Sequence, residues 1–523
     1  MTFHAPVSSF VKGRVSAGVL ALIALLLVSG CMKLGPDFVR PEAPAEADWN
    51  FSDDELLEQP IAQDDWWKVF NDPVLDRLVG MAYEQNLPLQ VAGLRIYEAR
   101  AQLGIAVGLQ FPQTQRASGS ATTNRISKNS PNFIPITDNE FSNYQAGFDA
   151  AWELDFWGRF RRGVEAAEAN LEASVADYDN ALVSLTAEVA RTYVTIRTLE
   201  ERLRIAYENI RLQEKSLNIA SVRFRNGATT ELDVQQAKSN LADTQALVPT
   251  LLRSQRQARN ALSTLLGMPP ADLTDILGES GDIPVAPEQV AAGIPAELLR
   301  RRPDIRLAEM QAATRSALIG AAEADLYPSF SLLGTIGYQT SGTNDSSPGD
   351  MFDSDSLTFS AGPAFSWNIL NYGRIRNNIR VQDARYQQTI MNYRNSVLTA
   401  YREVEDAMIG FVESRRESVF REQGTNAARR SSKLANIQYR EGAVDFQRVV
   451  DSERALVLQE DQWANTRGDI ALNLIAMYKA IGGGWEIRRG NDVISDENRE
   501  AMQQRTNWGD LLEPESEPAG ATD

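Results

Sequence analysis

The sequence predicts an α+β membrane protein in which β-hairpins alternate with helices far longer than a compact domain needs. Three observations carry this reading: a long unit that occurs twice, stretches in each unit that alternate strictly between apolar and polar side chains, and a run from Arg159 to Arg225 without proline.

The duplication holds its register over most of the chain. Trp152, Gly158 and Arg159 recur as Trp367, Gly373 and Arg374, an offset of 215. Phe224-Arg-Asn-Gly227 recurs as Tyr439-Arg-Glu-Gly442, and Leu266-Gly267 as Ile481-Gly482, at the same offset. Upstream, Gly104 and Pro112 match Gly320 and Pro328 at 216, so a one-residue slip falls between Pro112 and Trp152. A period this long marks the copying of a whole unit, not a short solenoid repeat.

Within the first unit Tyr144, Ala146, Phe148, Ala150, Trp152, Leu154 and Phe156 are apolar, and most intervening residues are polar. Period-two alternation describes a strand with one apolar and one wet face. Leu357, Phe359, Ala361, Pro363, Phe365, Trp367 and Ile369 repeat the phase, and Phe330, Leu332, Gly334, Ile336 and Tyr338 form a strand before them. The first-unit counterpart of that preceding strand, Gln113 to Thr122, is polar and carries no such signal. Asn124–Glu140 and Ser341–Ser356 are rich in turn residues and read as hairpin loops. The strand lengths suit a membrane span, and alternation alone fits a soluble sandwich equally well.

Each hairpin leads into a long helix. Val175, Tyr178, Leu182, Leu185, Val189, Ile196, Leu199, Leu203 and Ile210 are spaced by threes, fours and sevens, the pattern of a coiled-coil seam. Gly227 and Gly442 end these helices, and second helices return to Leu266 and Ile481. Four strands cannot close a barrel on their own, because the smallest membrane barrels use about eight. A membrane-spanning chain of this kind therefore requires an oligomer.

The N-terminus reads as a targeting signal: Lys12 and Arg14, an apolar run from Val15 to Val28, then Val28-Ser29-Gly30-Cys31. The small residues before the only cysteine resemble a bacterial lipobox, which implies cleavage before Cys31 and acylation of its sulfur. Met32 stands where an inner-membrane retention signal would place Asp, which points to the outer membrane. Loss of Lys12 and Arg14 takes the formal charge from −18 to −20 and removes the only histidine, His4. With one Cys and no His, zinc, haem and disulfide chemistry are excluded. The acidic balance, 70 Asp plus Glu against 52 Lys plus Arg, argues against nucleic-acid binding.

Gly35-Pro-Asp-Phe38, Asp65-Trp-Trp-Lys-Val-Phe-Asn-Asp-Pro73, Arg301-Arg-Pro-Asp-Ile305 and Gly482-Gly-Gly-Trp485 complete a pattern that resembles the TolC-like outer-membrane efflux factors. The match is to their lipoprotein (NodT-type) branch, which serves resistance–nodulation–division (RND) pumps. The resemblance implies a homotrimer with a twelve-stranded transmembrane β-barrel, four strands per chain, continued by a long α-helical periplasmic barrel. It implies a passive exit duct for drugs or other small toxic solutes, without enzymatic activity or cofactor. It also implies a periplasmic membrane-fusion adaptor and an inner-membrane RND transporter as partners, with outer-membrane lipid around the barrel and no nucleic acid. Tyr439, Arg440 and Arg454 match the family's tip motif, which holds the periplasmic end shut. Asp451 matches a residue facing the axis, and Asp233 an acidic partner on the other hairpin. Gln447 and Arg448 depart from the pattern, where relatives carry Leu or a second acid. As ordinary solvated helix charges, these residues would contribute only ~0–1 kcal/mol per pair.

The organisation that follows is a signal peptide at 1–30, a lipid-anchored arm at 31–70, a first repeat at 71–270 with its hairpin about 113–157, and a linker at 271–286. A second repeat at 287–484 has its hairpin about 329–371, and an acidic, flexible tail covers 485–523. Trp66-Trp67 reads as packing of the arm, and Asp345, Asp350, Asp353 and Asp355 as a solvated loop without the ligand order of an EF-hand. Two alternatives stay open: a type I secretion outlet, and a lipid-anchored coiled-coil structural or adaptor protein.

Overall fold

The computed structural model describes residues 32–42, 49–51, 53, 56–57, 65–129, 131, 139–287, 289–291, 301–342 and 347–513. The signal peptide, Cys31 and residues 514–523 lie outside the described residues. The chain divides into two compact units, each drawing on both copies of the repeat.

The first unit, residues 1–41, 98–172 and 309–391, is built on a four-stranded antiparallel sheet. Its strands are β1 (Thr114–Arg125), β2 (Glu140–Leu154), β3 (Ser329–Ser341) and β4 (Leu357–Ser366), in that spatial order. The register separates the two faces cleanly, because directly paired residues share a side. One row across the sheet reads Ala117, Phe148, Ile336, Phe359, and another reads Gly119, Ala146, Tyr338, Leu357. The rows between them read Arg116, Asp149, Thr335, Ser360 and Ser118, Gly147, Gly337, Thr358. One face is thus apolar and the other mostly polar, broken by the row of Thr114, Ala151, Leu333 and Gly362, and this contrast is the one a lipid-facing barrel wall requires. Phe148, Phe359 and Phe365 stay 66%, 72% and 73% exposed, so among the described residues none covers the apolar face at these positions. β1 is a full strand despite its polar sequence.

The arm after residue 31 is built into this unit. Arg162, 2% exposed, donates from Nε to the Leu34 carbonyl and from Nη2 to that of Gly35, each at 2.8 Å. Gly35 has φ +79°, and a Cβ there would lie 2.4 Å from the Gly320 Cα, so only glycine fits.

The second unit, residues 42–97, 173–308 and 392–523, is mostly helical, with one short parallel strand pair, Leu56–Leu57 and Val290–Ala291; residues 98–108, 159–172, 309–324 and 374–391 of its helices belong to the first unit. Pro73–Gln85 (α1) and Leu87–Gly108 (α2) precede Arg159–Arg225 (α3) and Glu231–Leu265 (α4); Pro303–Ala324 (α5) precedes Arg374–Arg440 (α6) and Phe446–Ala480 (α7). α3 and α6 each have 67 residues, roughly 100 Å at ~1.5 Å per residue. Along α3, Tyr178, Leu182, Leu185, Val189, Ile196, Leu199 and Leu203 are buried as the seam predicts; Val175 and Ile210 are half-buried, and Asn209 takes the core position beside the latter. Trp66 and Trp67 are buried, with Trp66 stacked on Tyr478 at 5.2 Å. Among the described residues no helix is long and apolar enough to cross a membrane.

The segment after Trp485, predicted flexible from its acidity, is folded as far as residue 513. Asp496–Arg505 (α8) is capped by Ser495, and Ile494, Met502 and Leu512 form a core cluster with Tyr97. A Cβ on Gly93 would meet the Val493 carbonyl at 2.0 Å, so a glycine in α2 lets this segment lie down. The apolar residues are few and irregularly spaced, which is why the charge count hid them.

Candidate functional site: the hairpin tips

α3 and α6 end in the same way. Ala228 N–H reaches back to the Arg223 carbonyl and Gly227 N–H to that of Phe224; Ala443 and Gly442 do the same to Gln438 and Tyr439. This is a Schellman stop, and it needs the positive φ of +69° at Gly227 and +79° at Gly442. Each turn delivers the chain into a return helix, and Asp445 caps the second through the Arg448 N–H.

Between the turns lies an apolar cap of Ala220, Val234, Ala237, Tyr439, Phe446, Val449 and Val450. Tyr439 is its polar member. Its hydroxyl donates to Asp233 Oδ2 at 2.9 Å, and the same oxygen accepts from the Thr229 hydroxyl. Its ring meets Phe446 edge-on at 4.9 Å and lies 4.8 Å from the Arg223 guanidinium. Arg223 also donates to the Tyr439 and Arg440 carbonyls, the open end of α6. Burial first, and then the Asp233 carboxylate, push the Tyr439 phenol up to about 12. The pair holds a tip residue of the second hairpin to the first.

Two spans, one in each copy of the repeat, match the family model described as outer membrane efflux protein: residues 78–268 and 294–483. The chain belongs to the outer membrane efflux protein family. Outer membrane protein OprJ of Pseudomonas aeruginosa is 32% identical over 470 residues, 90% of this chain and 96% of its own. The probable outer membrane lipoprotein SilC of Salmonella typhimurium is 29% identical over 474 residues, 89% of this chain and 98% of its own. The solved structure of the outer-membrane channel OprN superposes with a TM-score of 0.79 at 32% identity, covering 87% of this chain and 100% of that one. OprN is an outer-membrane channel and the other two are outer-membrane proteins by name, and the predicted class, place and α+β architecture stand.

In this efflux protein the remaining predicted tip residues are spread out. Asp451 is exposed and accepts from Gln447 at 2.8 Å; Gln447 in turn accepts from Gln236 of α4 at 3.0 Å. Arg440 pairs with its neighbour Glu441 at 3.2 Å, and Arg454 with Asp243 at 3.4 Å, both exposed. Within one chain, neither arginine meets Asp233. The cation at the Tyr439 site is Arg223, which the sequence reading passed over; its only signal is its place at the start of Arg223-Phe-Arg-Asn-Gly227.

A second omission lies one layer deeper. Glu453, 1% exposed, accepts from Ser216 of α3, Asn240 of α4 at 3.0 Å and Asn436 of α6 at 3.1 Å, so one carboxylate ties three helices to its own. Burial raises its pKa, against the pull of these three donors. One heptad on, Glu460 takes Asn209 at 2.8 Å and Arg429 at 2.7 Å. Behind the apolar cap, then, the bundle core is polar.

Proposed function

We propose that this efflux protein works as a homotrimeric, passive exit duct whose periplasmic gate is the ring of hairpin tips. The reading rests above all on the sheet: four strands, one apolar face exposed, one wet face, and two unpaired edges. Such a sheet is a third of a small membrane barrel and cannot be stable in lipid alone, because every backbone group there must be paired. Cys31 is the proposed acylation site; it precedes in sequence the arm that Arg162 holds through the Leu34 and Gly35 carbonyls. A periplasmic membrane-fusion adaptor and an inner-membrane RND transporter complete the pump, the adaptor docking on the tips and supplying the free energy that opens them. Tyr439 and Asp233 hold the closed state, with Asp451, Arg440 and Arg454 left on the outside of the tip for contacts between subunits or with the adaptor.

Sedimentation in mild detergents tests the assembly, and a monomer throughout would refute it. Labelling with radioactive palmitate tests the anchor: Cys31→Ser should lose the label while keeping the trimer. Label retained by the serine variant would place the lipid elsewhere.

A further inference from the structure

Behind the apolar cap, three oxygens crowd around one serine hydroxyl. Ser216 Oγ of α3 lies against Glu453 Oε1 of α7, 2.8 Å from Asn436 Oδ1 of α6 and 3.3 Å from the Leu212 carbonyl of its own helix. A serine carries a single hydrogen, and neither an amide oxygen nor a carboxylate can supply another. With Glu453 ionised, one of the two closest oxygen pairs therefore has no hydrogen in it.

Turning the Asn436 amide over does not relieve this. Its Nδ2 donates to the Ser432 carbonyl and to Glu453 Oε1, each at 3.1 Å. Reversed, the amide oxygen would face both of those acceptors, so one bare contact would become two.

We infer that Glu453 binds a proton at neutral pH, and that this proton, in place of an ion pair, fastens the second hairpin to the first. Oε1–H then donates to Ser216 Oγ, and the Ser216 hydrogen passes on to Asn436 Oδ1. Asn436 Nδ2 returns a hydrogen to Oε1, and Asn240 Nδ2 of α4 donates to the remaining Oε2 at 3.0 Å. Each close oxygen pair now holds one hydrogen. Loss of the proton to solvent reverses the relay. Ser216 must turn its hydrogen to Glu453, and Asn436 Oδ1 is left facing Ser216 Oγ with nothing between them. The inference uses contacts within one chain and stands apart from the trimer and gate readings.

The surroundings favour the neutral acid. Glu453 is 1% exposed, and among the described residues no charged side chain lies against it. Lys215 of α3, Lys238 of α4, Lys433 of α6 and Arg454 of α7 are exposed, while Arg429 of α6 is engaged by Glu460 one heptad away. A charge buried at this depth without a cation is costly, and the group takes up a proton instead. Burial accordingly moves the Glu453 pKa upward.

Infrared spectroscopy of the full-length protein in detergent tests this. A protonated carboxyl has a carbonyl stretch apart from the carboxylate bands, and the difference between parent and Glu453→Gln isolates the one group. At neutral pH that difference should show the acid band, and raising the pH should convert it to carboxylate. A carboxylate signal already present at neutral pH would overturn the proton site. Ser216→Ala reports the same group should the glutamine variant fail to assemble: removing the acceptor should shift the acid band, and a shift in the carboxylate bands instead would overturn it equally. Hydrogen exchange then tests the fastening. Protection of α7, corrected for the intrinsic pH dependence of exchange, should fall in the parent across the pH step at which the acid band disappears. Protection unchanged through that step would show that the proton does not hold the hairpins together.

Discussion

Tyr439→Phe removes one hydroxyl from the tip and leaves its packing in place. The ring keeps Phe446 at 4.9 Å and Arg223 at 4.8 Å, so the change isolates the bond to Asp233. A hydrogen bond to a charged acceptor contributes ~1.5–3 kcal/mol. Asp233 retains Thr229 as a donor, which favours the lower end, about 1.5 kcal/mol per subunit. With three tips opening together the loss is about 4.5 kcal/mol, against ~5.5 kcal/mol to swing an equilibrium from 1:99 to 99:1. Single-channel recording in planar bilayers, without any adaptor, should therefore show a closed parent and a variant open for much of the time. An open probability unchanged from the parent would mean that the Tyr439–Asp233 bond does not hold the gate. Because the phenol's pKa is raised, the bond persists below its ordinary range and is lost only as pH rises through about 12, so this lock should be indifferent to pH between 6 and 9.

Arg440→Ala should change open probability much less than Tyr439→Phe in the same recordings, since among the described residues the Arg440 side chain pairs with its exposed neighbour Glu441; an equal effect would assign it a contact between subunits. Glu453→Gln should flatten a pH dependence. Its raised pKa means its contribution is fully present below the ordinary carboxylate range and is lost as pH rises through the raised value, so parent melting temperatures should fall more steeply than those of the variant as pH rises above that range. Parallel curves would show that the charge on Glu453 does not set this pH dependence.

The long helices and three of the four strands were legible because their side chains repeat at the period of the structure. β1 was not, because on the side it shares with the apolar rows Ala117, Gly119 and Ala121 are too small, and Gln115 and Thr123 too polar, to raise an alternation; the strand exists through its pairing with β2. Asp233 and Tyr439 were found through motif likeness and do meet. Arg223 and Glu453 were missed for one reason. Their partners are backbone carbonyls and uncharged side chains from other helices, and no spacing along one helix reveals those.

What a solute in transit meets is set by the wet face of the sheet. Its rows are mostly serine, threonine, asparagine, glutamine and glycine, with Ala151, Leu333 and Ala364 among them, and its charges are compensated: Arg116 stands 3.4 Å from Asp149, and Glu153 3.5 Å from Arg159. Such a wall offers hydrogen bonds that water already supplies and no lone charge to trap an ion or a polar drug. Conduction requires sites weak enough to leave as well as to enter. Residence times along this stretch are therefore short and alike for chemically different cargoes, and whatever discrimination the pump achieves must be exercised before a molecule reaches the barrel.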